Sequence, residues 1–262
     1  MNILDKIIAN KKIEVAKQKE ACSQNMLVQQ IEKKGALPKK HLFKSSLQAS
    51  STGIIAEFKR RSPSRDWIFK DAKVSDVIPP YSKNGASAIS VLTDLDFFGG
   101  TLVDLEEAVQ LTDTPLLRKD FTVDEYQLYQ AAYYGASAIL LIASALTVEE
   151  TKSLARKAND LNLDVLLEIH NEKELGHINE YVDVVGINNR NLGTFETDVQ
   201  ISFDLGDKIP NEFLKISESG ISDPQTVIDL RSAGFRGFLM GENFMKTNDP
   251  GKALDDFIKR LG

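Results

Sequence analysis

From Ile54 onward the chain repeats one phrase eight times: an apolar, β-rich run, then a turn, then an amphipathic helical pattern. The runs are Ile54 to Lys59, Ala88 to Thr93, Pro115 to Asp120, Ala138 to Ala143, Asp164 to Ile169, Val184 to Asn189, Leu214 to Ser219 and Gly237 to Glu242. Their spacing of roughly 20 to 35 residues leaves room for one crossover helix each, which parallel strands require. The runs are nearly continuously apolar, as strands covered on both faces must be. Eight such units favour an α/β fold of the (β/α)8 TIM-barrel kind over an open doubly wound sheet. At 262 residues and 29.1 kDa the chain is long enough for one barrel. No low-complexity linker divides it, so residues 1–262 are expected to form a single barrel domain, with residues 1–50 as an N-terminal helical extension packed on it.

The extension opens with Leu4, Ile7, Ile8 and Val15 at helical spacing among lysines and glutamates, which predicts an amphipathic helix laid across something larger and helping to cover the site. A second helix is expected from Asn25 to Lys34, ended by Gly35 and Pro38, before a short segment from His41 to Gln48. Within the repeats, Thr122 with Glu125 and Thr147 with Glu150 read as capping boxes, while Asp223-Pro224 and Asp249-Pro250 place an N-cap before a first-turn proline. Pro79-Pro80 should make the first crossover helix start late or kink.

A net charge of -6 and a pI near 5.3 argue against non-specific binding to nucleic acid or to a membrane surface, yet leave room for a cationic pocket that takes an anionic small molecule. The lone Cys22 cannot form an internal disulfide, and no uncharged apolar run reaches membrane-spanning length; both suit a cytoplasmic protein.

The first strand then departs from its apolar pattern. In GIIAEFKRRSPSR, Ile55, Glu57 and Lys59 share one face, because residues two apart on a strand point the same way. Keeping that parity, Lys119 follows Leu117, Glu168 follows Leu166, Asn188 ends the sixth strand and Glu218 follows Ile216. In barrels of this kind chemistry sits at the carboxyl ends of the strands. A single polar group there is most often a satisfied core residue. Two lysines, three glutamates and an asparagine on separate strands each carry a desolvation cost that only function or full mutual pairing justifies.

Ser219-Gly220 and Gly241-Glu242 close the seventh and eighth strands, the usual barrel phosphate position, where glycine lets backbone amides approach an anion. His41, His170 and His177 are scattered, and His170 reads as a cap or surface residue. There is no Cys/His cluster, P-loop or dinucleotide fingerprint, so neither a metal nor a nucleotide cofactor is expected.

ILDKIIANKKIEVAKQK, IAEFKRRSPSR, NGASAISVLTD, PLLRKDF, LLEIH, GINNRNL, ISESGI and GFLMGENFM, spread over nearly the whole chain, together resemble the indole-3-glycerol-phosphate synthase family. The resemblance implies ring closure of 1-(o-carboxyphenylamino)-1-deoxyribulose 5-phosphate, with loss of carbon dioxide and water, to indole-3-glycerol phosphate. By the same resemblance Lys119 is the general acid and Glu168 the general base of the dehydration. Lys59 contacts substrate and phosphate and shares the acid role, Glu57 orients the lysines, and Asn188 joins them in the catalytic set. Glu218 and Ser219 line the substrate site, and Ser62 and Arg190 lie near the anthranilate carboxylate. Gly220, Gly241 and Glu242 join Lys59 at the phosphate, with the Glu242 carboxylate expected to turn away from it. Another phosphosugar barrel enzyme, such as phosphoribosylanthranilate isomerase, or a non-catalytic phosphosugar-binding barrel would share the glycines but would not need both lysines with Glu57 and Glu168. The chain is expected to act as a monomer, with a dimer as the alternative. It departs from the commonest family pattern at Asp66-Trp67 and at Pro79-Pro80.

Overall fold

The structure, a computed structural model, describes residues 2–35, 37–191 and 193–262. Met1 at the head of the predicted extension, Ala36, and Leu192 in the GINNRNL motif lie outside the described residues. Three helices come first: α1 (Ile3–Ala21), α2 (Gln24–Lys34) and α3 (Leu42–Ala49). Then follow β1 (Ile54–Phe58), the small strands β2 (Arg61–Ser62) and β3 (Asp66–Trp67), α4 (Val74–Lys83), β4 (Ala88–Leu92), α5 (Leu95–Phe98), α6 (Leu102–Leu111), β5 (Leu116–Lys119), α7 (Tyr126–Tyr134) and β6 (Ala138–Ile142). The remainder is α8 (Val148–Asp160), β7 (Asp164–Ile169), β8 (Val184–Asn188), α9 (Gln200–Gly206), β9 (Leu214–Glu218), α10 (Pro224–Ser232), β10 (Gly237–Met240), α11 (Glu242–Met245) and α12 (Pro250–Lys259). Every predicted run carries a barrel strand, with ends displaced by at most two residues.

β1, β4, β5, β6, β7, β8, β9 and β10 pair in that order, all parallel, and β10 closes on β1. This is the (β/α)8 barrel that the repeat requires. Alternation along each strand splits the core in two. Ile54, Ala56 and Phe58 join the layer between strands and outer helices. Ile55, Leu117, Leu140, Leu166, Val184 and Ile216 fill the barrel interior, where Phe43 and Leu47 of α3 join them from the extension. Because Ile55 and Leu166 point inward, so do Glu57 and Glu168, two residues further along.

The caps mark where sequence and structure agree and where they part. Thr147 and Glu150 form the expected capping box, and Asp223 and Asp249 cap helices that begin with proline. Thr122 and Glu125 do not form one. The α7 helix starts at Tyr126 with Glu125 itself at the N-cap position and no side-chain cap, so Thr122 lies three residues too early to cap it; the Val123 N–H donates to Gln127 at 2.8 Å and the Tyr126 N–H to Asp124 at 2.9 Å. Nor does Pro79-Pro80 delay its helix, since α4 begins at Val74 and runs across both. The carbonyls those prolines leave without an amide partner belong to Ser75 and Asp76, which are exposed and open to water. Among the described residues, no helix is long and apolar enough to cross a membrane.

Candidate active site

Six side chains from five strands meet at the carboxyl mouth. Lys59, just past β1, lies 2.6 Å from the carboxylate of Glu57. The Lys119 ammonium at the end of β5 reaches Glu218 Oε2 of β9 at 2.5 Å and Glu168 Oε2 of β7 at 3.2 Å. Asn188 of β8 donates from Nδ2 to Glu168 Oε1 at 3.1 Å. The parallel register sets this meeting, pairing Glu168 with Gly186 and Asn188 with Glu218 across adjacent strands. A cavity of about 140 Å³ opens above the cluster, walled by Phe98, Phe121, Ile142 and, from α1, Ile3, Leu4 and Ile7.

Burial and charge pull these groups apart. Burial alone would lower the Lys119 pKa, but Glu218, Glu168 and Glu57 outweigh it and hold the ammonium well above the ordinary lysine range. So held, the resting Lys119 is a weaker acid than an ordinary lysine. Glu168, also buried, is held well below the usual carboxylate range by Lys119 and His170. Glu218 moves the other way, pushed up to about 7 chiefly by burial, with Glu168 adding to the effect against the pull of Lys119. Its Oε1 is buried without a hydrogen-bond partner among the described residues.

His170 corrects the sequence reading. It is neither a cap nor a surface residue: its side chain is 11% exposed, with Nε2 at 3.3 Å from Glu168 Oε1 and Nδ1 at 3.4 Å from Glu174 Oε2. Burial opposes its charge, but Glu168 and Glu174 push its pKa up to about 10. A histidine whose folded pKa is raised adds stability that is full below the unfolded value near 6.5 and is lost as pH climbs to about 10. The stability margin of the parent over His170→Asn should therefore shrink across that window in denaturant titrations. A margin that stays flat would show that the charge pair is not felt.

The loop after β1 is stitched rather than loose. β2 and β3 form an antiparallel hairpin pairing Arg61 with Trp67 and Ser62 with Asp66. Arg61 Nε donates to Asp66 Oδ1 at 2.7 Å, and its guanidinium sits 5.5 Å from the Trp67 ring centre. The hairpin buries Ser62 at the cavity wall. Arg190 donates to Ser64 Oγ at 3.3 Å across the same opening.

Beside this lies a second basin lined by Lys59, Arg65, Arg190, Ser219, Gly220, Gly241, Glu242 and Lys246. Ser219 and Gly220 are both left-handed, at φ 68° and 77°, which turns the chain sharply at the end of β9. The Glu242 carboxylate lies 3.2 Å from Arg65 Nε and 3.7 Å from Arg190, two guanidiniums that also line the basin. Gly241 has a reason apart from any anion, because a Cβ there would collide with the side chain of Glu57. The sequence reading missed Gly186 as well. A Cβ there would occupy the place of Glu218 Oε1, and the available signal was an isolated glycine inside a strand. Among the described residues the one grouping of three potential metal ligands, His41, Asp164 and Asp183, lies at the opposite, amino ends of the strands.

A closed (β/α)8 barrel whose mouth gathers part-buried lysines and buried carboxylates beneath an apolar cavity has the layout of a barrel enzyme's active site. The family profile for indole-3-glycerol phosphate synthase matches residues 4–257. The indole-3-glycerol phosphate synthase of Bacteroides thetaiotaomicron is 53% identical over 260 residues, 99% of each chain, and that of Aliarcobacter butzleri is 41% identical over 261 residues, again 99% of each. Among solved structures, a mutant tryptophan synthase alpha-subunit from Pyrococcus furiosus superposes with a TM-score of 0.62 at 15% identity, covering 81% of this chain and 98% of that one, a likeness of fold alone. The chain belongs to the indole-3-glycerol phosphate synthase family, carboxy-lyases of tryptophan biosynthesis.

Proposed function

We propose that the mouth carries out the family's ring closure with the division of labour that the sequence suggests: Lys119 as general acid, Glu168 as general base of the dehydration, Lys59 as substrate contact and second acid, and Glu57 and Asn188 as the groups that hold them. The observation that carries this reading is the Lys119 ammonium gripped between Glu218 and Glu168 beneath an apolar cavity. A ketone oxygen that gains negative charge as the aromatic ring attacks needs a proton donor within hydrogen-bond reach. In the resting site the carboxylates make Lys119 too weak an acid and Lys119 makes Glu168 too weak a base. A substrate oxygen inserted beside the ammonium loosens the Lys119–Glu168 contact and sharpens both groups at once.

The aromatic ring would occupy the apolar cavity, with Ser62 and Arg190 near its carboxylate and Glu218 and Ser219 along the substrate. The phosphate would take the adjoining basin, on the backbone of Gly220, Gly241 and Glu242 with the charge of Lys59. The cationic lining of that basin supports the assignment, and the Glu242 carboxylate would have to stay with Arg65 while phosphate binds. The same reading takes residues 1–262 as one barrel domain with residues 1–50 as its extension, and the protein as a cytoplasmic monomer acting on a phosphorylated small molecule without a metal. Adding the carboxyphenylamino substrate should produce indole fluorescence in a single incubation, while phosphoribosylanthranilate should leave the enzyme silent. Turnover of phosphoribosylanthranilate without indole formation would overturn the reading in favour of the isomerase.

A further inference from the structure

Lys11 lies on the face of α1 that carries Leu4, Ile7 and Val15, and it is completely buried. Its ammonium reaches Glu14 of its own helix at 2.7 Å and two carboxylates of the barrel mouth, Asp120 Oδ1 at 2.9 Å and Asp94 Oδ2 at 3.0 Å. Asp94 lies two residues beyond β4, and Asp120 directly follows Lys119. Both carboxylates are buried, but their other contacts differ. Asp120 also pairs with Arg118 at 3.0 Å, whereas among the described residues the Asp94 carboxylate otherwise accepts only the Phe97 N–H at 2.9 Å. One and two turns before Lys11 on the same helix, Ile7 and Leu4 wall the cavity.

We propose that Lys11 is a positioning residue: it latches α1 onto the ends of β4 and β5, so that Ile3, Leu4 and Ile7 form a fixed apolar wall against the aromatic half of the substrate. Its use of that wall rests on the assignment of the cavity made above. The energetic logic is asymmetric. A buried ion pair adds little over apolar packing, but removing one partner leaves a buried charge without compensation. Without Lys11, Asp94 keeps no cation: burial already pushes its pKa up, so a proton relieves part of the cost, and the rest is relieved by α1 lifting and letting water in. Burial opposes the charge of Lys11, but Asp120 and Asp94 outweigh it and keep the ammonium protonated far above neutral pH.

Lys11→Met should therefore raise KM by at least about tenfold while kcat changes by less than about threefold, because the wall contributes to binding and takes no part in proton transfer. Amide exchange should quicken across residues 3–21 while the barrel strands keep their protection. Lys11→Met with Asp94→Asn keeps the acceptor for Phe97 and removes the orphaned charge, so KM should return to within about threefold of the parent. A purely structural lysine would lower thermal stability without this split between KM and kcat and without rescue. The proposal fails if the single variant keeps the parent KM, if exchange quickens equally in helix and barrel, or if the double variant is no better than the single one. Should Lys11→Met not fold, the double variant decides alone: a folded double variant with near-parent KM supports the latch, and one with KM raised about tenfold or more overturns it. Indole formation by the parent is read first, so failure of the catalytic assignment would be seen separately.

Discussion

Lys119→Met should slow single-turnover indole formation by about a hundredfold to ten-thousandfold, the usual worth of general acid catalysis, and should leave the affinity for a reduced, unreactive substrate analogue within about tenfold. Methionine keeps most of the volume and the apolar stem but cannot donate a proton. The objection is that removing one cation from a cluster of three carboxylates unfolds the protein before it tests the chemistry. The charges around Lys119 answer it. Glu218, already pushed up to about 7 by burial, rises further when the ammonium goes and takes up a proton near neutral pH, so it is not stranded as an ion. Glu168 keeps the Asn188 hydrogen bond at 3.1 Å and the His170 contact at 3.3 Å. Glu57 keeps Lys59 at 2.6 Å. Stability should fall but folding should survive, and the loss should appear in the rate constant, as it does for an interaction made mainly in the transition state. If the variant keeps more than about a tenth of the parent rate, Lys119 is not the acid and Lys59 becomes the residue to test.

The barrel was legible because its strands are buried on both faces and its helices on one, so the period of the apolar pattern changes eight times along the chain. Strand parity then carried Glu57, Lys119, Glu168, Asn188 and Glu218 into one mouth without knowledge of any contact. What parity could not carry lay just past the strands or depended on distances between them. His170 is one residue beyond β7, where alternation ends, and only the fold shows its ring lying between Glu168 and Glu174. Lys11 interrupts an apolar helix face, a signal present in the sequence, but the carboxylates that make it tolerable are 83 and 109 positions away in numbering, at Asp94 and Asp120. The direction of the Lys119 shift was not legible for the same reason: composition gives the charges, and only register gives their spacing. The Thr122–Glu125 pattern failed as a cap because the helix begins three residues later than the pattern implies, with Glu125 rather than Thr122 at the N-cap position.

Gly186→Ala should cost about a hundredfold in turnover through misplacement of the groups above it and about 1–3 kcal/mol in stability through overpacking. Gly186 faces inward on β8, paired with Glu168 on one side and Ile216 on the other. The space a Cβ would need is taken by Glu218 Oε1, with Leu166 Cδ1 at 3.1 Å and Ile216 Cγ1 at 3.3 Å closing the remaining directions. Those two are core side chains without exits, so the carboxylate must move. Moving it draws Oε2 away from the Lys119 ammonium, now 2.5 Å distant, and disturbs the lysine that the reaction is proposed to use. The overpacking and the chemistry can be separated by a second substitution. Gly186→Ala with Glu218→Ala empties the contested space, so thermal unfolding of the double variant should return most of the stability lost in the single one, while turnover stays low because Lys119 has lost its closest partner. Full turnover in Gly186→Ala would mean that Glu218 has room to move without consequence, and the tight fit between the glycine of β8 and the carboxylate of β9 would then be packing without a catalytic role.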